Sequence, residues 1–299
     1  MNKSQRIKFE SLYRKHVSAL KRQGKAASTI DVYSRAVRRI AESFDCCPDN
    51  LTQEQLEAHF DALVESHSWS TVKIDRNGLQ FFYEHVLKRD WRWIKIVKPP
   101  QVRRLPDILS LSEIERLING TRELRYQTFI LTAFSMGLRL GEVLNLQVGD
   151  IDKDRMKVHV RGGKGNKDRL VTLPEMSLLA LRRYWKTHRH PTLIFPNGRT
   201  DEERRAARSM MDRGGVQKSL KAIAVSCGIR KHVSPHTLRH CYGALALEAG
   251  VNLRVIQHEM GHDRPTTTAL YTQLTESTFE ESSKLINGML APLNLSWGA

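Results

Sequence analysis

The sequence predicts a mainly α protein: an N-terminal helical bundle, then a larger, mostly α domain with a small antiparallel β-sheet. Three observations predict it. Apolar residues recur at spacings of three and four through most of the chain, as on one face of a helix. Residues 156–160 and 169–173 alternate by two instead, as strands do. Between the two helical parts, Lys98-Pro99-Pro100-Gln101-Val102-Arg103-Arg104-Leu105-Pro106 places three prolines in nine residues, which no helix can run through.

The N-terminus, Met1-Asn2-Lys3-Ser4-Gln5-Arg6, opens a polar amphipathic stretch without a signal-peptide core. Ser28-Thr29 is the expected cap of a helix through Ile30, Tyr33, Ala36, Ile40 and Phe44. Thr52 with Gln55 forms a capping box before Leu56, Phe60 and Leu63. A fourth segment spans residues 70–87, with Leu79, Phe82 and Tyr83 as core candidates. Four such helices make a small bundle over residues 1–97. Residues 98–106 form an extended, basic linker, and residues 107–299 form the second domain. There, Ser112 and Glu115 suggest a capping box for a helix bearing Ile114, Leu117 and Ile118. Gly137 stops an apolar helix through Phe129, Leu131, Phe134 and Met136, and a new helix begins near Gly141. The two alternating runs flank Arg161-Gly162-Gly163-Lys164-Gly165-Asn166-Lys167-Asp168, a hairpin with a glycine-rich turn and a lysine at its tip. Helical spacing resumes at 175–186, 215–227, 237–249, 253–260 and 275–290. Residues 199–213 hold five arginines, either a solvated face or a DNA-contacting segment.

Lys and Arg outnumber Asp and Glu by 48 to 32, a formal charge of +16 that points to a polyanionic partner. No apolar run reaches 18 residues, so nothing is expected to span a membrane. Cys46, Cys47, Cys227 and Cys241 make no Cys-x-x-Cys pair and read as reduced thiols of a cytoplasmic protein.

Six residues in order carry candidate chemistry. Arg139 lies in Gly137-Leu138-Arg139-Leu140-Gly141-Glu142, and Lys164 at the hairpin tip. His236 and Arg239 lie in Pro235-His236-Thr237-Leu238-Arg239-His240. His262 lies in Met260-Gly261-His262, with Tyr271 nine residues on. Breaking a phosphodiester spreads negative charge over its non-bridging oxygens, and arginine forks neutralise two oxygens at once. The i,i+3 spacing of His236 and Arg239 is expected to aim both at one spot. Lys164 is placed to protonate a leaving 5′-oxygen, with Lys157 and Lys167 as competitors. Tyr271 is a nucleophile that needs a base or cations beside it, because free tyrosine titrates near 10. His236 and His262 could take its proton or bond the phosphate. A rival string, His258-Glu259-Met260-Gly261-His262, fits the zinc-protease pattern His-Glu-x-x-His. Gly261 and Pro265 argue against it, because the helix should end where the second ligand must sit. His236 and His240 could likewise form a metal pair, but no cysteine or carboxylate cluster accompanies them. No metal or other cofactor is expected.

The ordered set Arg139, Lys164, His236-x-x-Arg239, His262, Tyr271 resembles the tyrosine recombinases, the phage integrase family, over residues 28–290. The Xer and integron types are nearest in size. Residues 199–213 lack the integron type's histidine-rich insertion, which argues against gene-cassette capture. The resemblance implies a core-binding, SAM-like N-terminal bundle and a catalytic C-terminal domain that clamp double-stranded DNA at paired inverted half-sites. It implies a homo-tetramer, with or without a partner recombinase. It also implies a 3′-phosphotyrosyl intermediate and a Holliday junction, formed without metal or ATP. A mobile-element integrase or resolvase fits, and absence of an extra arm-binding domain favours simple sites. Alternatives are a relaxing topoisomerase of the single-strand type and a catalytically inactive DNA-binding accessory protein. The family often carries an acid where Glu142 stands, either to orient an arginine or as an exposed helix residue. Residues 275–290 match a helix that docks on a neighbouring protomer, with packing on its own domain as the rival.

Overall fold

A computed structural model of the chain describes residues 1–91, 107–162, 168–261 and 276–295, the side chains of 276–281 apart. The chain is mostly helical and divides into two compact units, Met1–Arg103 and Arg104–Ala299. The expected linker, 98–106, lies outside the described residues.

The described part of the first unit has four α-helices: α1 (Lys3–Arg22), α2 (Ala27–Ser43), α3 (Gln53–Ser66) and α4 (Trp69–Phe82). Thr52 and Gln55 form the expected capping box of α3. The expected cap of α2 needs correction: the helix starts at Ala27, and the amides of Thr29 and Ile30 already bond to the Ala26 carbonyl. Ser28 and Thr29 therefore sit inside the first turn, and Ala26 caps with backbone alone. Gly78 lies where α4 meets α2. A Cβ there would stand 3.0 Å from that of Ala36 and 3.1 Å from the Tyr33 backbone, so the missing side chain lets the helices close up. Val37, Ile40, Phe60, Leu63, Leu79 and Phe82 fill the bundle. After α4 comes one π-helical turn, Tyr83–Leu87, and Tyr83 donates its hydroxyl to the Pro48 carbonyl at 2.6 Å.

The second unit opens with α5 (Leu111–Asn119). Its capping box is Ser110 with Glu113, two residues before the expected pair. Glu113 returns a bond to the Ser110 amide at 2.9 Å, while Glu115 accepts the Asn294 amide at 2.6 Å instead. The apolar α6 (Leu124–Ser135) is buried through most of its length, and the short α7 (Leu140–Leu144) follows. A three-stranded antiparallel sheet comes next, in the order β1 (Ile151–Asp152), β2 (Lys157–Val160), β3 (Arg169–Thr172). β2 and β3 pair with Val158 opposite Val171 and Val160 opposite Arg169. Asp168 closes the base of the hairpin, accepting the Gly162 amide at 2.8 Å. The remaining helices are α8 (Glu175–His188), α9 (Asp201–Arg205), α10 (Arg213–Ser226), α11 (Pro235–Glu248), α12 (Leu253–Met260) and α13 (Glu276–Leu290). One continuous core joins the helices of this unit, α9 apart, and includes Phe129, Phe134, Phe195, Leu238 and Tyr242. Within the single chain, α13 packs on α8, α11 and β3 and buries Ile286, Met289 and Leu290. Among residues 199–213, Arg204 is held by Asp201 and by the Arg199 carbonyl, which makes it part of a local fold. The four cysteines are free thiols. Among the described residues no helix is long and apolar enough to cross a membrane.

Candidate active site

The site is built where α6 ends. Gly137 takes a left-handed conformation (φ +57°) that lets the chain turn. It also lies flat against the Tyr242 ring, where a Cβ would come within 2.3 Å. The turn delivers Arg139 to the N-terminus of α7, where it is bound by Glu142 one turn on. Glu142 accepts the Arg139 guanidinium at 2.7 Å and its amide at 2.9 Å. A second bond runs from Arg139 Nη2 to the Gly261 carbonyl, 2.8 Å.

Arg239 approaches from α11, which Ser234 caps by accepting the Thr237 amide at 3.1 Å. Its side chain is 2% exposed. Nη1 donates to the Gly137 carbonyl at 2.7 Å, and Nη2 donates to the Met260 carbonyl. Both arginines thus grip the turn after α6 or the end of α12. Arg239 Nη1 lies 4.0 Å from Glu142, so the one carboxylate serves both. Burial, followed by the charge of Arg139, lowers the Arg239 pKa to about 10, and it stays charged at neutral pH. Burial alone would raise Glu142. The hydrogen bonds and charge of Arg169, then the bonds from Arg139, hold it at about 2. Glu142 is therefore an ionised buried carboxylate, 7% exposed, and not a surface helix residue.

His236 departs from its expected direction. Arg239 turns inward, whereas His236 stays exposed and packs edge-on against His240, ring centroids 4.3 Å apart. A side chain three residues before another on a helix shares its face, but burial of the guanidinium draws it beneath that face. Burial, then His240, Arg239 and Arg139, lower the His236 pKa, which favours the neutral, proton-accepting ring.

The rival zinc string has other work. As expected, α12 ends at Met260, and Gly261 is left-handed (φ +60°). Glu259 is fully buried and accepts the Thr172 amide at 3.0 Å and the Tyr242 hydroxyl. Burial raises its pKa. This glutamate ties α12 to β3 and α11.

Sequence profiles of two parts of one family match most of the chain. The profile of the phage integrase family matches residues 107–278, and that of the phage integrase N-terminal SAM-like domain matches residues 12–93. The chain belongs to the phage integrase family. The family comprises the tyrosine recombinases, DNA strand-exchange enzymes. A tyrosine recombinase of Thermosipho africanus is 29% identical over 272 residues, covering 86% of this chain and 93% of that protein. Tyrosine recombinase XerD of Listeria monocytogenes is 29% identical over 280 residues, covering 88% and 93%. A lambda integrase dimer bound to a core site shares the fold, with a TM-score of 0.64 at 16% identity over 85% of this chain and 95% of that one.

For this integrase-family chain, the structure brings together Arg139 and Arg239 and keeps His236 at the surface beside His240. Lys164, His262 and Tyr271 lie outside the described residues. The hairpin strands beside Lys164 and the helix end before His262 are described, and Arg139 bonds the residue just before His262. One member of the cluster escaped the sequence reading: Arg169, at the start of β3. Its alternation with the inward-facing Val171 was the available signal, because a charge at a core-facing strand position requires a buried partner.

Proposed function

We propose that this chain is a site-specific recombinase that cuts and rejoins DNA through a tyrosine ester. Arg139 and Arg239 hold the non-bridging oxygens of the scissile phosphate, with their charge kept in place by Glu142. Tyr271 Oη attacks phosphorus, and its proton passes to His236 or His262. The bond to the 5′-oxygen breaks, and Lys164 gives that oxygen a proton. The products are a 3′-phosphotyrosyl enzyme and a free 5′-hydroxyl. The 5′-hydroxyl of a partner duplex reverses the steps, exchanging strands through a Holliday junction. The ester keeps the bond energy, so the cycle needs no ATP, and the guanidinium groups with Lys164 take the place of a metal ion.

The observation that carries this reading is the pair of guanidinium groups held around one ionised carboxylate, beside the chain leading to His262. In this reading residues 1–97 bind DNA, residues 98–106 link, and residues 107–299 carry the chemistry. Paired inverted half-sites on double-stranded DNA, a homo-tetramer and action on a mobile element in the cytoplasm complete it. Helix α13 would exchange between protomers in that assembly. A lambda integrase tetramer bound to a Holliday junction and a Tn1549 transposon integrase in complex with transposon right end DNA share the fold, with TM-scores of 0.66 and 0.61 at 16% identity.

The test incubates the protein in chelator with nicked duplexes tiled across the DNA that flanks its gene. An SDS-resistant protein–DNA band is expected with wild type. It should vanish in Tyr271→Phe, which still binds the same duplexes. An undiminished band in that variant overturns the assignment.

A further inference from the structure

Arg169 has no role in the steps above, yet it is the most heavily engaged cation of the site. Its side chain is 6% exposed. Nη1 donates to Glu142 Oε1 at 2.9 Å and Nη2 to Oε2 at 2.7 Å, a two-pronged pair. Nε donates to the Glu259 carbonyl at 2.6 Å. The guanidinium also fills the space over Gly261, where a Cβ would lie 3.2 Å from it. One side chain therefore holds three segments: β3, α7 through Glu142, and the end of α12. These are the segments that lead from Lys164, from Arg139 and into His262.

Charge adds a second consequence. Glu142 alone would cancel one of the two charges that Arg139 and Arg239 offer to a phosphate. With Arg169 paired to Glu142, three guanidinium charges meet one carboxylate and two remain uncompensated. Lysine would keep that balance. It could not supply the planar fork and the third bond together.

We propose that Arg169 is a positioning residue of strand cleavage: it neutralises Glu142 and fixes the hairpin, the α7 N-terminus and the α12 end in one register. The proposal rests on the recombinase reading. Its effect belongs to the chemical step and not to DNA binding, because all three of its guanidinium nitrogens already donate to protein groups.

The test compares wild type, Arg169→Lys, Arg169→Met and Tyr271→Phe on the nicked duplex that gives the wild-type adduct. Adduct rate at saturating DNA, DNA affinity and melting temperature are measured for each. Arg169→Lys is expected to bind within about 3-fold of wild type while its single-turnover rate falls roughly 30-fold, the scale of a small misplacement of reacting groups. Arg169→Met should fall further, since it also loses the counter-charge. Adding Glu142→Gln to Arg169→Met removes the carboxylate that would otherwise cancel one charge of Arg139 and Arg239, and should recover part of the rate. A wild-type cleavage rate in a folded Arg169→Lys overturns the proposal. So does parallel loss of binding, cleavage and melting temperature in both variants, which marks a purely structural residue. If wild type forms no adduct that depends on Tyr271, the recombinase reading falls and takes this proposal with it.

Discussion

Arg239 is a charged side chain at 2% exposure, and its cost is met by two backbone carbonyls and a nearby carboxylate. Lysine at this position has one ammonium for acceptors at two separate places. Arg239→Lys should therefore lower the adduct rate by about 10²–10³-fold, in the range of removing one preorganised transition-state donor. DNA affinity, measured by fluorescence anisotropy, should stay within about 3-fold. Gly137 faces a different constraint, since a side chain there meets the Tyr242 ring and the backbone is left-handed. Gly137→Ala is expected to destabilise the second unit by about 2–4 kcal/mol, from strain and overpacking together. Thermal melting reads this directly. At this scale the sequence singled out candidate chemical residues through their types and order. It did not reveal the partners of Arg239, because backbone carbonyls carry no signature in a sequence. Arg169 was hidden for a related reason: its significance comes from Glu142 and Glu259, 27 and 90 residues away.

Element boundaries show where local chemistry decides structure. Thr52 and Gln55 were readable as a capping box because both partners are side chains at fixed spacing. The cap of α5 was misplaced because Ser110 and Ser112 are both suitable, and only the partners of Glu113 and Glu115 choose between them. The cap of α2 could not be read at all, since Ala26 uses backbone alone. The cap that matters most to the site is Ser234, which begins the helix carrying His236 and Arg239. Ser234→Ala should cost about 1 kcal/mol, the usual loss of a serine N-cap, seen as a shifted urea midpoint with unchanged slope. The short sheet was legible in β2 and β3 from alternation. The two residues of β1 were too few to show a period.

Over the whole molecule, the charge of +16 predicts steeply salt-dependent DNA binding. A log–log plot of affinity against salt should fall with a slope of several units, and a flat plot would remove DNA as the partner. Stability of the first unit should depend on pH. His16 and His59 are buried there, His16 edge-on to Phe81 and Phe82, and burial lowers both to about 4. Because the folded values lie below the unfolded value near 6.5, each contributes fully above pH 6.5. The contribution is lost as pH falls toward 4, at most about 3 kcal/mol per histidine. Melting curves from pH 7.5 to 4 should show this loss, and His16→Phe should lessen it. The two-part helical organisation was legible because proline chemistry and helical spacing are local. How Arg139 and Glu142 of α7, Arg169 of β3 and Arg239 of α11 converge was not, because they come from three elements far apart in the chain. The proposed recombinase attacks DNA through Tyr271. The most direct measurement digests the trapped adduct with nuclease and protease and identifies the modified peptide by mass spectrometry. A nucleotide joined through its 3′-phosphate to Tyr271 is predicted; the same phosphate on any other residue would contradict it.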